Sequence, residues 1–146
     1  MSVGWGQDII PPELIYFSFS PDTIDVSLEP QTISMDFSII DNLSGVGYIH
    51  VMFRGHIQNQ SFSTSINGGC NLEEDFIDIP LEFPQTVGGD WYVSDLYLRD
   101  CSDNGQYFFT DELNNIGSET NLFIINNSGN DVIPPEDDNP PELTYF

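Results

Sequence analysis

Residues 31–40 alternate with a period of two: Ile33, Met35, Phe37 and Ile39 fall on one side, Ser34, Asp36 and Ser38 on the other. That period fits an extended strand with one buried face and excludes an amphipathic helix, whose apolar residues recur every three to four positions. Residues 46–54 read the same way, with Ile49, Val51 and Phe53 inward and Tyr48, His50 and Met52 outward. Shorter strand-like segments at 14–20, 23–26, around Phe62, 76–79, 91–98, 106–110 and 121–125 are separated by turn residues. Among these are Pro21-Asp22, Glu29-Pro30, Asn67-Gly68-Gly69 and Gly88-Gly89. The 23–26 piece is expected to continue the edge begun by 14–20, and the 76–79 strand to stop at Pro80. Within 91–98, Trp91 and Val93 fall on one face and Leu96 and Leu98 on the other, so a bulge is needed to turn both pairs inward. Residues 111–116 read as one helical turn before the last strand. Many short strands and almost no helix predict an all-β fold, an antiparallel β-sandwich of about seven strands, with a closed barrel as the alternative.

The chain nearly repeats itself. Pro11-Pro12-Glu13-Leu14-Ile15-Tyr16-Phe17 returns as Pro140-Pro141-Glu142-Leu143-Thr144-Tyr145-Phe146, 129 residues later and with six of seven residues kept. Self-similarity at a fixed offset is the mark of a tandem array. It divides the chain into a tail or linker at 1–10, one repeat at 11–130, and an acidic, proline-rich linker with the first strand of a next repeat at 131–146.

Twenty-four Asp and Glu face 2 Lys and Arg, a formal net charge of −22 in 146 residues. Such a surface repels phosphate backbones and anionic lipid, which argues against nucleic-acid and membrane-surface roles. No apolar run approaches the length of a membrane span. The carboxylates are expected to serve in both ways: a few, in turns, to hold hard cations such as Ca²⁺, and most, spread along strands, to keep the protein soluble in salty surroundings. Cys70 and Cys101 have no Cys-x-x-Cys partner and, with His50 and His56, lack zinc spacing, which leaves one disulfide or two buried thiols.

Four pieces resemble the bacterial immunoglobulin-like repeats of large secreted and cell-surface proteins. They are Pro11-Pro12-Glu13-Leu14 with Phe17-Ser18-Phe19-Ser20-Pro21; Asp41-Asn42-Leu43-Ser44-Gly45-Val46; Gly89-Asp90-Trp91 through Tyr97-Leu98-Arg99-Asp100; and Asp103-Asn104-Gly105. In such repeats the last two usually read Gly-x-Trp and then Asp-x-x-Gly-Asn, and here Asp100-Cys101-Ser102-Asp103-Asn104-Gly105 carries an insertion. The resemblance implies an Ig-like sandwich, an extracellular or cell-surface setting, and neighbouring repeats of the same chain as partners.

In a sandwich of this kind, alternate turns gather at one end. The turn after 31–40 carries Asp41 and Asn42. The turn after the strand around Phe62 carries Asn67 and Cys70, and the turn after 91–98 carries Asp100, Cys101, Asp103 and Asn104. The incoming segment with Asp8 and Glu13 arrives at that same end. Ca²⁺ takes six to eight oxygens in irregular geometry, so Glu13, Asp41, Asn42, Asp100, Asp103 and Asn104 are the candidate ligands. Asp and Asn also favour turns without any metal. Glu136, Asp137, Asp138 and Asn139 resemble the Asp-Asn-Pro linkers of cadherins, where Ca²⁺ stiffens the hinge between sandwich domains, and are candidates for the next junction. The same topology brings Cys70 and Cys101 together as a disulfide.

Catalytic patterns are weak, and an enzyme is not expected. Glu73-Glu74-Asp75 and Asp111-Glu112 are adjacent acids of the kind that line a solvated face, and Arg54 and Arg99 are too few for anion recognition. Tyr48, Tyr92 and Tyr97 read either as cross-strand pairs or as a sugar-stacking platform. The chain is therefore expected to be a structural or adhesive module stiffened by calcium at its junctions, with a cell-surface glycan or protein as a possible target. The alternative is a carbohydrate-binding or accessory module of a secreted hydrolase.

Overall fold

The structure, a computed structural model, describes residues 8–56 and 60–127. In chain order these form β1 (Glu13–Ser20), β2 (Thr23–Asp25), β3 (Gln31–Ile40), β4 (Val46–Gly55), β5 (Ser61–Asn67), β6 (Glu73–Phe83), β7 (Gly89–Asp100), β8 (Gly105–Phe109), the short helix α1 (Thr110–Asn115) and β9 (Asn121–Ile125). One sheet has the order β1-β3-β6; the other runs β2-β9-β7-β4-β5, with β8 also paired to β7. The connections from β3 to β4, β5 to β6 and β6 to β7 each cross from sheet to sheet. This is an immunoglobulin-like sandwich.

The alternation in the sequence faces the two sheets toward each other. Ile33, Met35, Phe37 and Ile39 of β3 and Ile49, Val51 and Phe53 of β4 are all buried. Trp91 lies at the centre, with Phe62 and Phe83 at ring distances of 5.6 and 5.9 Å. Its indole N–H donates to the Val87 carbonyl at 3.2 Å, so this buried polar atom is satisfied.

Three irregularities decide which residues reach the core. In β7, Val93 lies opposite Phe53 and Asp95 opposite Met52, leaving Ser94 as an extra residue. That bulge turns Trp91, Val93, Leu96 and Leu98 all inward. It also falls where β7 changes neighbour, from β9 along 89–92 to β8 along 95–99. In β1 a register shift between Leu14 and Tyr16 lets both Leu14 and Phe17 point inward. In β6 the register shifts between Phe76 and Ile79, and Asp78 adopts φ +56°.

Two expectations need correction. The strand expected to end at Pro80 continues to Phe83, because β6 is a sheet edge and a proline there costs no ladder bond. The short piece at 23–26 does not extend the edge of β1. It crosses to the other sheet and pairs parallel with β9.

The strand directions place the β3–β4, β5–β6 and β7–β8 loops and Asp8 at one end, and the chain leaves at Asn127 from the opposite end. Deleting Ser94 should leave Trp91, Val93, Leu96 and Leu98 all inward in unbroken alternation, whereas deleting Ser94 and Asp95 together should turn Leu96 and Leu98 to the solvent face, at ~1.5–3 kcal/mol of lost burial for each. The expected outcome is cooperative urea unfolding for the single deletion and its loss for the double one; loss of cooperativity in the single deletion, or its retention in the double, would contradict the bulge assignment.

Candidate metal centre

The loop joining β3 to β4 is held between its two neighbours by backbone bonds. Asp41 and Val46 N–H donate to the Leu72 and Asn71 carbonyls at 2.8 and 2.9 Å, and Cys70 N–H donates to the Val46 carbonyl at 2.9 Å. On the other side, Cys101 N–H donates to the Gly45 carbonyl at 2.9 Å. Cys70 and Cys101 form a disulfide, with their Cα atoms 5.8 Å apart, that ties the two outer loops across the middle one. Gly45 has φ +93°, and a Cβ there would sit 2.1 Å from the Cys70 carbonyl. Only glycine fits this crossing.

Within this frame three aspartates meet. Asp8, Asp41 and Asp100 each offer a carboxylate oxygen, all within 4.8 Å of one another. They are 6%, 6% and 1% exposed. Asp41 Oδ2 accepts the Leu43, Ser44 and Gly45 amides at 3.2, 3.0 and 2.9 Å. Asp100 Oδ1 accepts the Ser102 and Asn104 amides at 2.8 and 2.9 Å. Asp8 Oδ2 accepts the Ser44 hydroxyl at 2.5 Å and the Ser44 amide at 3.0 Å, and Oδ1 accepts the Ile10 amide at 3.1 Å. The Asn104 side-chain amide donates both to Asp100 Oδ2 at 2.9 Å and to the Asp8 carbonyl at 2.8 Å, fastening the incoming segment to the β7–β8 loop.

Among the described residues, neither arginine pairs with this charge. Arg99 lies 3.7 Å from Asp103 and stacks over Tyr48, while Arg54 donates to Ser94. Unit charges ~4.8 Å apart repel by roughly 3–4 kcal/mol at an effective dielectric near 20. Burial pushes the Asp8 carboxyl up, but its bonds from the Ser44 hydroxyl and from the Ile10 and Ser44 amides outweigh this and hold it at about 2. Asp8 is therefore ionised at neutral pH. Asp41 Oδ1 is buried and, among the described residues, is the one buried side-chain oxygen without a hydrogen-bond partner. An orphaned carboxylate oxygen inside a cluster of like charge fits a bound cation. All the donors are oxygen, which suits a hard ion rather than zinc or copper. Two oxygens on one Ca²⁺ lie no more than about 4.6–5.2 Å apart, a span that contains this cluster.

Of the residues singled out from sequence, Asp41 and Asp100 enter the triad and Asn104 fastens it. Glu13 opens β1 and is exposed, and Asn42 is exposed on the loop tip. Asp103 is exposed at φ +69° beside Arg99. None of these three belongs to the buried carboxylate group. Glu136, Asp137, Asp138 and Asn139 lie outside the described residues. Asp8 enters the triad from the segment read as tail or linker. A signal for it exists in the sequence: Asp-x-x-Pro-Pro-Glu begins at Asp8, at Asp131 and at Asp137, and the copy at Asp137 is the one followed by Leu143 and Phe146.

Among the described residues no helix is long and apolar enough to cross a membrane. The disulfide fits an oxidising compartment. Comparison with protein-family models, with curated proteins and with solved structures found no match.

Gly45→Ala should cost at least ~2 kcal/mol, since it combines left-handed backbone strain with overlap on the Cys70 backbone. Urea denaturation of the oxidised protein measures this directly, and a loss under ~0.5 kcal/mol would contradict the loop packing described here.

Proposed function

We propose that this chain is one immunoglobulin-like module of an extracellular tandem array, and that Ca²⁺ on Asp8, Asp41 and Asp100 fixes the incoming linker to it. The observation that carries this reading is the origin of the three carboxylates. Two belong to turns of the sandwich, whereas Asp8 precedes the Pro11-Pro12 step at which the chain enters. A cation shared by all three would neutralise most of the buried charge and give Asp41 Oδ1 a partner. It would also convert a loose connection into a fixed angle between one module and the next. Asp137 stands before the second Pro-Pro-Glu-Leu as Asp8 stands before the first, so the same device would serve the following junction. The work of such a module is spacing and stiffening of a surface-attached chain, with adhesion supplied by the parent protein. The disulfide and the acidic surface both suit an extracellular setting.

Only the folded protein assembles the triad, so a bound ion stabilises by mass action, ~2.7 kcal/mol when free ion exceeds Kd 100-fold. Saturating Ca²⁺ should raise the melting temperature by on the order of 10 °C over chelator. Asp41→Asn should remove most of that rise, and Mg²⁺, which demands tighter octahedral geometry, should give less of it. Equal melting temperatures in Ca²⁺ and chelator would sink the proposal.

A further inference from the structure

The outward face of the larger sheet differs from the rest of this surface. Across β5, β4, β7 and β8 a row runs through Ser65, His50, Tyr97 and Tyr107, each opposite the next in register. In the adjoining rows, Tyr48 pairs with Arg99 on one side and Asp95 with Phe109 on the other. Of the twelve side-chain positions in these three rows, only Arg99 and Asp95 are charged, with opposite signs. The outward face of the smaller sheet instead carries Asp36, Glu73, Asp75, Asp78 and Glu82. On a chain of net charge −22, a face with no net charge is a local exception.

Four rings follow one another across that face. Tyr48 and Tyr97 are 6.2 Å apart, Tyr97 and Tyr107 4.7 Å, and Tyr107 and Phe109 5.7 Å with their planes within 8°. Tyr107 and Phe109 are 53% and 55% exposed, so their rings present apolar surface to solvent. Arg99 lies over the Tyr48 ring at 4.7 Å and closes the row at one end. Space is kept for the row by Gly105, where a Cβ would stand 2.1 Å from the Tyr97 hydroxyl. A larger residue there would lift the Tyr97 ring out of line.

We propose that this face binds a neutral polysaccharide. A pyranose ring presents an apolar face of C–H groups, which packs on an aromatic ring, and a rim of hydroxyls that both donate and accept hydrogen bonds. The row supplies rings in sequence, and beside them groups that do both, among them the Tyr hydroxyls, Ser65 and His50. The remainder of the surface repels polyanions, which selects an uncharged chain over an acidic one. The site lies on the side of the sandwich and needs no cation, so in an array of such modules successive faces could engage one long glycan together.

The experiment is affinity electrophoresis of the intact chain in native gels containing neutral polysaccharides (β-1,3- and β-1,4-glucans, xylan, galactomannan) or acidic ones (alginate, polygalacturonate), with and without chelator. The proposal expects retardation by at least one neutral polysaccharide, unchanged by chelator. It expects about a tenfold or greater loss of affinity in Tyr107→Ala/Phe109→Ala, as for truncated aromatic anchors elsewhere. That double variant should keep the parental melting temperature within a few degrees, because both side chains are exposed. Gly105→Ala should weaken retardation as well, and Ile77→Ala, on the acidic sheet, should not. Retardation by none of the neutral polysaccharides, by the acidic ones alone, or equally by the double variant would overturn it. So would concentration-dependent dimerisation in sedimentation that the double variant abolishes, since the face would then be a contact between copies.

Discussion

The crossing of the Asp41–Gly45 loop between the two loops that flank it is the contact on which the upper end of this sandwich depends. Three backbone bonds hold it to the β5–β6 loop and one to the β7–β8 loop, and the disulfide closes the outer pair around it. Because Gly45 lets the backbones approach so closely, the amides of residues 43–45 point into one spot and converge on Asp41 Oδ2. Once that oxygen is occupied by amides, the other is left buried with no donor among the described residues, on a side chain that clusters with Asp8 and Asp100. The local chain geometry thus produces the unpartnered oxygen that the proposed cation would complete.

Much of the architecture was legible from alternation alone, and the parts that were not share a cause. Period-two patterning reports which side a residue faces only while the register is unbroken. It identified the buried faces of β3 and β4 outright, and in β7 the clash between Trp91 and Leu96 called for a bulge, which the structure puts at Ser94. In β6, alternation alone makes Pro80 a stop, because a proline's tolerance depends on whether the strand lies at an edge, which only the assembled sheet decides. The destination of β2 was likewise hidden, since three residues carry too little pattern to choose between two sheets.

The carboxylate triad was half legible. Loop topology placed Asp41, Asp100 and both cysteines at one end, because alternate turns of a sandwich must gather there. It could not distinguish carboxylates that turn inward from those that point to water. Asp103 and Asp100 are three residues apart in one turn, yet one is buried among amides and the other is exposed beside Arg99. Topology brings the incoming segment with Asp8 to that end too, but Asp8 lies before the first strand, where periodicity has nothing to say, and its recurrence ahead of each Pro-Pro-Glu is the further mark.

The pairing of β2 with β9 has a mechanical consequence. The chain enters at one end and leaves at the other, and these two strands, close to entry and exit, run parallel, joined by bonds such as Val26 N–H to the Ile125 carbonyl and Phe123 N–H to the Asp22 carbonyl. Tension between the ends therefore acts along both strands in opposite senses and across their hydrogen bonds. Those bonds are sheared together instead of being opened one after another, so a pulled chain must break the patch as a unit. An antiparallel hairpin at the same place would unzip.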